Sequence, residues 1–448
     1  MKRIETPPEV CRAAARLRER GFSCHLVGGC VRDSLRGLTP HDFDLCTSAL
    51  PQQVMEVFQD QRVIATGLVH GTVTVLWEGM PLEITTLRVD GSYSDGRHPD
   101  EVSFTGDVTL DLARRDYTIN AMAWDPLEQQ LLDPFGGQED LEKRCLRCVG
   151  DPDRRFGEDA LRILRGLRFA STLGFGLEAQ TAESLVRNRA LLDRVARERV
   201  REEWSRLLCG VEAVQVLRQY REVAAQVIPA LAAMFDYPQR SPWHRYDVWE
   251  HTLHALEGSP PELVVRLALL LHDVGKPETG TVDEQGVGHF YGHARASTRL
   301  TEEILRELRY DNDTRQAVVE LVRHHDALLE ENPVQMKRWL RRMGESQLRR
   351  WLEVRRGDIR GQGCHPERLA DVDRLEGCLE RILAEKEPFS VRQLAVNGRD
   401  VLECGIPPGP AVGQVLERLL EEVWEDSARN QREWLLKRIR EHGKNDHS

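Results

Sequence analysis

Two regimes of hydrophobic spacing divide the chain. Up to about residue 145, apolar and polar side chains alternate over residues 22–26, 72–77 and 82–87, which predicts short strands. Turn signals such as Glu78-Gly79-Met80-Pro81 separate them, and residues 10–20 carry the spacing of an amphipathic helix. From Asp151 onward strand signals almost vanish. Leu, Arg and Glu recur at helical intervals, interrupted at Ser241-Pro242, Ser259-Pro260-Pro261 and residues 405–409. The pattern predicts an α+β chain in which a strand-bearing head carries a long helical body, without internal repeats.

Composition narrows this picture. At 448 residues the chain exceeds one ordinary core, so several domains are expected. No run approaches the ~20 apolar residues of a membrane span, and the charged opening residues do not suit a signal peptide, so no membrane and a cytoplasmic location are expected. Ten cysteines are scattered; Cys145 and Cys148 have C-x-x-C spacing but no second half-site, which favours ordinary reduced thiols. The formal net charge of −11 excludes a generally cationic surface, but not an RNA partner held by local patches. Arginine is dense over residues 154–206 and again at Arg338, Arg341, Arg342, Arg349 and Arg350, where guanidinium groups can meet phosphates or pair with neighbouring carboxylates on solvated helices.

The strongest chemical signal is LVGGCVRDSLRGLTPHDFDL over residues 26–45. An apolar strand runs into Gly28-Gly29, a helix begins near Val31, and a second strand carries Asp42-Phe43-Asp44. Alternation there would put both carboxylates on one face and Phe43 and Leu45 on the other. Two such carboxylates suit hard divalent cations of the kind used in phosphoryl transfer. Gly28 and Gly29 let backbone amides approach a triphosphate at the positive end of the following helix, where Arg32 can reach the same phosphates. Asp33 would cap the turn or pair with Arg32.

A second signal is Glu158-Asp159-Ala160-Leu161-Arg162, continued by Arg165 and Arg168. Read as one helix, Asp159, Arg162, Arg165 and Arg168 fan across one side while Leu161, Leu164 and Leu167 offer apolar surface. An acceptor and a forked donor one turn apart can imitate the hydrogen-bonding edge of a base. A third is the order His251, His272-Asp273, His293, His325, Asp358, with Lys276 close behind, all in helical sequence. Such side chains can converge on a divalent ion inside a bundle and leave a position open for water. Whether His324 or His325 takes part stays open.

Gly28-Gly29-Cys30-Val31-Arg32-Asp33 followed by Asp42-Phe43-Asp44 resembles the first motif of the nucleotidyltransferase superfamily typified by polymerase β, and within it the class II tRNA nucleotidyltransferases and bacterial poly(A) polymerases. The resemblance implies a small mixed-sheet, polymerase β-like head at 1–145, an all-α neck at 146–210, a helical body at 211–385 and a tRNA-binding tail at 386–448. It makes Asp42 and Asp44 the catalytic Mg2+ ligands, with Gly28, Gly29 and Arg32 on the nucleotide. His70-Gly71-Thr72-Val73 and residues 82–86 look like paired strands completing the sheet, so Glu83 is a candidate third carboxylate or a surface residue. Residues 90–99 resemble a loop that helps switch from C to A addition.

Arg114-Arg115-Asp116-Tyr117-Thr118-Ile119-Asn120-Ala121 matches a further family motif. It implies that Arg115 contacts the nucleotide and that Asp116 and Asn120 organise the sugar and a helix start; a helix cap and a packing amide are the plainer roles. In family terms Asp159 and Arg162 pair with the base edge of CTP or ATP, Glu158 orients Arg162, and Arg165 and Arg168 reach the triphosphate. Glu198-Arg199-Val200-Arg201-Glu202-Glu203-Trp204 resembles the last neck motif, with no catalytic duty assigned.

The histidine and aspartate series resembles the HD phosphohydrolases, with Phe290-Tyr291-Gly292-His293 and His324-His325-Asp326 matching in context. It implies a second divalent metal (Mn, Ni, Mg or Fe) on His251, His272, Asp273, His293, His325 and Asp358. Residues 394–400 and 406–410 resemble the region that grips the tRNA elbow, followed by an amphipathic helix over 412–424. The implied reaction is addition of CCA to the 3′ end of tRNA from CTP and ATP with release of pyrophosphate, by a monomer or homodimer. Three rivals remain: a poly(A) polymerase, a CC- or A-adding enzyme, and an HD hydrolase with a nucleotide-sensing head.

Overall fold

In the computed structural model the described residues are 4–40, 42–68, 71–91 and 102–445. His41, His70 and residues 92–99 of the expected switching loop lie outside them. The chain divides into two compact units, Met1–Pro229 and Ala230–Ser448. The first is α+β and the second helical apart from one small strand pair, the fold class expected from the hydrophobic pattern.

Unit 1 opens with α1 (Pro8–Glu19), β1 (Cys24–Val27), α2 (Gly29–Leu35), β2 (Asp44–Thr47) and α3 (Pro51–Val57). There follow β3 (Arg62–Gly67), β4 (Thr72–Trp77), β5 (Met80–Thr86), the short pair β6 (Arg88–Asp90) and β7 (Val102–Phe104), and α4 (Val108–Ala113). β8 (Ala123–Asp125) and β9 (Gln130–Leu132) complete a mixed sheet ordered β3-β4-β5-β2-β1-β8-β9. β2 is antiparallel to β1 and parallel to β5, with Asp44 opposite Glu83. The strand expected to carry both acidic residues starts later than the sequence suggests. β2 begins at Asp44, and Asp42 stands just before it, because β1 ends at Val27 where the chain turns through Gly28. The alternation itself holds: Asp42 and Asp44 are exposed, Phe43 half-buried and Leu45 buried.

After the sheet in chain order come α5 (Gly137–Glu142), the parallel pair β10 (Cys145–Leu146) and β11 (Gly176–Leu177), α6 (Pro152–Glu158), α7 (Leu161–Leu173), α8 (Ala179–Arg187), α9 (Arg197–Leu208), α10 (Ala213–Gln219) and α11 (Arg221–Val227). The single helix read through Glu158–Arg168 is in fact two. Asp159 is extended (φ −143°, ψ 104°) between α6 and α7, and its side chain accepts the Leu161 N–H at 3.0 Å, so it caps the second helix instead of riding on it. α7 packs against the head through Gly166, where a Cβ would fall 2.1 Å from the Tyr117 hydroxyl oxygen. That buried hydroxyl donates to the Arg162 carbonyl at 2.8 Å.

Unit 2 contains α12 (Val248–Leu256), α13 (Leu263–Leu271), α14 (Lys276–Thr279), the hairpin β12 (Thr281–Val282) and β13 (Gly288–His289), α15 (His293–Glu307), α16 (Asn312–Arg323), α17 (Pro333–Met343), α18 (Glu345–Gln362) and α19 (Leu369–Ala384). α20 (Gly398–Glu403), α21 (Pro410–Glu425) and α22 (Arg432–Asn445) form a tail core around Val401, Leu419, Val423 and Leu435. α12 and α18 approach closely because Gly357 and Gly361 face α12: Cβ atoms there would lie 2.6 Å from the carbonyl oxygens of Ala255 and His251. No helix among the described residues is long and apolar enough to cross a membrane.

Replacing Gly166 with Ala should force α7 off Tyr117 at a cost of about 1–3 kcal/mol. Scanning calorimetry should then show the unit 1 transition lowered by about 2–4 °C per kcal/mol; an unchanged transition contradicts the close-packing argument.

Candidate active site and metal centre

The head site is built around a glycine that must be glycine. Gly28 has φ +77° and ψ −134°, a conformation that L side chains avoid, and α2 begins immediately after it. A Cβ on Gly28 would stand 3.2 Å from Arg115 Nη1 and 4.0 Å from Asp44 Oδ2, so these opposite charges flank the turn. Although the residue as a whole is exposed, partial desolvation of its carboxyl beside the turn raises Asp44 above its ordinary value, and the negative charges of Glu83 and Asp42 add to this while Arg115 opposes it. Asp44 thus stands within electrostatic reach of two further carboxylates and one guanidinium beside the turn. The carboxylates' mutual repulsion is relieved by a cation, and their all-oxygen donor set fits magnesium.

Asp111 fixes the arginines of this region. Buried on α4, it accepts Arg114 Nη2 at 2.7 Å and Arg115 Nη2 at 3.4 Å. Asp116 is the buried junction to the helices below. Its Oδ1 accepts the Tyr117 N–H (2.8 Å) and Asn120 Nδ2 (3.2 Å), and its Oδ2 meets Arg165 Nη2 at 2.6 Å. Burial alone would raise its pKa, but the Arg165 charge and these donors bring it down to about 2. Asn120 passes the network on, its Oδ1 accepting Arg32 Nη1 at 2.8 Å, while Arg32 also pairs with Asp33 at 2.8 Å. Of the two roles open for Asp33, pairing with Arg32 is the one observed.

Arg162 is nearly buried. Its Nη1 donates to Glu158 Oε2 (2.9 Å) and the Arg155 carbonyl (3.2 Å), its Nη2 to the Arg114 carbonyl (2.9 Å). Asp159 is held by Arg199 at 2.9 Å. Arg165 pairs with Asp116, Arg168 with Glu203, and both lie against the Phe169 ring. Sequence reasoning missed Asp111, Arg199 and Glu203. The last neck motif, left without duty, supplies two of them, and the only signal was a charged residue at a buried helix position.

In unit 2 the expected histidines and aspartates come together. His251 on α12, His272-Asp273 just past α13, His293 opening α15, His325 just past α16 and Asp358 on α18 share one cluster. His251 Nε2 lies 3.0 Å from His272 Nε2, and His293 Nε2 lies 3.2 Å from His325 Nε2. Asp358 Oδ1 is 3.3 Å from His251 Nε2, and Lys276 Nζ is 2.6 Å from Asp273 Oδ2. His324 turns away, its Nε2 meeting Arg342 at 2.8 Å, which leaves His325 facing the cluster. Burial would lower the His272 pKa, yet Asp273 and Asp358 raise it to about 10. Asp273 and Asp358 thus favour positive charge at this point, which a divalent ion would supply with the ring left neutral. Beside it opens a cavity of about 340 Å³ lined by Lys276, Tyr291, His293, His325, Arg355 and Asp358.

A mixed-sheet head carrying clustered carboxylates beside a glycine turn defines a nucleotidyltransferase-type site, and residues 24–147 match the family model "Poly A polymerase head domain". Residues 174–235 match "Probable RNA and SrmB- binding site of polymerase A", and residues 290–439 a tRNA nucleotidyltransferase domain 2. The chain is 34% identical over 435 residues to the CCA-adding enzyme of Geobacillus thermodenitrificans, covering 96% of each chain. It is 33% identical over 410 residues to that of Lactobacillus helveticus, covering 91% of this chain and 90% of the relative. The crystal structure of the Bacillus stearothermophilus CCA-adding enzyme in complex with CTP superposes with a TM-score of 0.70 at 30% identity, over 98% of this chain and 100% of that one. The chain belongs to the CCA-adding enzyme family.

The depressed Asp116 pKa sets a pH signature. A lowered carboxylate contributes stability that is present above about pH 4 and lost as the pH falls toward 2. Asp116→Asn should cost about 1.5–3 kcal/mol at neutral pH, and the melting-temperature gap from wild type should close on acidification. A gap independent of pH counts against the buried charge.

Proposed function

We propose that this chain adds CCA to the 3′ end of tRNA, using CTP and ATP and releasing pyrophosphate. The observation that carries the reading is Asp44 opposite Glu83 and within electrostatic reach of Asp42, beside Gly28 and Arg115, with Asp159 and Arg162 held by Arg199 and Glu158 in the same unit. Asp42 and Asp44 would hold Mg2+, which when bound supplies Lewis-acid activation of the 3′-hydroxyl and neutralises charge on the leaving pyrophosphate.

The protein's own groups then position. The amides at Gly28 and Gly29 cradle phosphate oxygens, Arg115 faces the same anion, and Arg32 is oriented by Asp33 and Asn120. Arg162 and Asp159 offer donor and acceptor to a base edge, while Arg165 holds the neck to the head through Asp116 and Arg168 ties two neck helices together through Glu203. We retain the division into head, neck, HD body and tail at 1–145, 146–210, 211–385 and 386–448, with the tail as the tRNA contact. The location that suits such chemistry is the cytoplasm.

A second activity rests on the unit 2 cluster: a metal-dependent phosphohydrolase in which His251, His272, Asp273, His293, His325 and Asp358 hold a divalent metal. Bound there, the metal activates water against a phosphate ester. Asp273 has both oxygens buried, pairs with Lys276 and faces four imidazoles, a donor set for Mn, Ni or Fe more than for Mg.

Asp44→Ala should abolish incorporation of labelled CTP into tRNA lacking its CCA end while leaving the melting temperature within a degree or two; near wild-type incorporation defeats the proposal. Arg162→Ala should keep the metal chemistry but lose about 1–3 kcal/mol of discrimination for CTP and ATP over UTP and GTP, read as kcat/KM ratios. Extension of unstructured RNA with long A tracts would favour the poly(A) polymerase alternative.

A further inference from the structure

Arg32 is restrained beyond its ion pair. Its Nε and Nη2 donate to the two oxygens of Asp33 at 3.0 and 2.8 Å, and its Nη1 donates to Asn120 Oδ1 at 2.8 Å. A guanidinium carries five N–H donors, so these bonds leave one on each Nη. The Nη2 end stands beside the glycine turn, where a Cβ on Gly29 would lie 3.6 Å from it. A further neighbour is not polar: the Arg32 Cζ lies over the ring of Phe169 on α7, 5.4 Å from its centroid.

Phe169 gathers charge that a core aromatic does not need. Arg165 and Arg168 also lie over its ring, at 5.5 and 3.9 Å. Each of the three guanidiniums already has a carboxylate, Asp33, Asp116 or Glu203. Neutralisation is complete without the ring, so what the ring adds is direction, through the attraction of a cation to its negative face. The ring itself is fixed. It is buried and meets the Tyr117 ring edge to face at 5.9 Å, and the Tyr117 hydroxyl is bonded to the Arg162 carbonyl. Phe169 also follows Arg162 by two turns on the same face of α7, about 10 Å along the helix axis.

We infer that Phe169 is a positioning residue for the incoming nucleotide: its ring seats Arg32 so that the two unused Nη donors face a phosphate at the Gly29 turn. Arg162, toward the base, and the seat of Arg32, toward the phosphates, then ride on one helix. α7 thereby sets the spacing between the two ends of a nucleoside triphosphate, and Phe169 acts on the nucleotide through Arg32. This inference rests on the reading of the head as a CTP and ATP site.

The test is CTP binding by the full chain with Mg2+, measured by isothermal titration calorimetry. Phe169→Leu should raise the Kd about three- to tenfold and leave the KM for tRNA unmoved. In an Arg32→Gln background the same substitution should change the Kd no further. Stepwise fluorination of the Phe169 ring, which drains its negative face at nearly constant volume, should raise the Kd with each fluorine added. An equal loss from Phe169→Leu in both backgrounds assigns the effect to packing or to Arg165 and Arg168, and overturns the seat. A Kd indifferent to fluorination, or to Arg32→Gln, overturns it as well, with the nucleotide reading left standing. The fluorinated chains decide the matter even if Phe169→Leu fails to fold. Absence of CTP binding by the wild type defeats the nucleotide reading and the seat together.

Discussion

The buried carboxylate of Asp116 is the point on which the candidate nucleotide site depends. It touches both the head motif, through Tyr117 N and Asn120, and the neck, through Arg165. A charge in that position is stable only while its donors stay in place, since burial by itself would drive it to protonate. The helix bearing Arg162 is held to the sheet bearing Asp44 by the same requirement, reinforced by the Tyr117 hydroxyl on the Arg162 carbonyl. Electrostatic satisfaction here sets the distance between the groups that would bind metal and those that would meet a base.

Both candidate centres share one device in different chemistry. In the head, like-charged oxygens are crowded where the chain turns through Gly28. In unit 2, imidazole lone pairs and carboxylates are crowded where α12 and α18 are drawn together by Gly357 and Gly361. The absence of a side chain permits the crowding each time. The ligands differ as the expected ions differ: oxygen alone for a hard ion that exchanges, nitrogen and oxygen for one held inside a bundle.

Much of the fold was legible in the sequence. Period-two alternation located β4 almost to the residue and put Asp42 and Asp44 on the face opposite Leu45. What misled was tertiary. Nothing in Glu158-Asp159-Ala160 is a helix breaker by composition; the break comes from a carboxylate that caps Leu161 and pairs with an arginine forty positions further on. Asp111 and Glu203 sit in charge-rich stretches where a buried carboxylate and a solvated one look alike. The choice between His324 and His325 cannot be made from identical neighbours, and is decided by α16 ending at Arg323.

The extended backbone of Asp159 has a mechanical corollary. A side chain within a helix cannot be re-aimed without turning or fraying the rod that bears it. Asp159 lies between two rods, secured by one capping bond and one ion pair, so swivelling it breaks no backbone ladder. Its neighbour Arg162 is clamped by two carbonyls and a glutamate. The two side chains therefore join a compliant acceptor to a stiff donor, and under the proposed base-reading role this would let one fixed reference edge meet partners of two different widths without remodelling the scaffold.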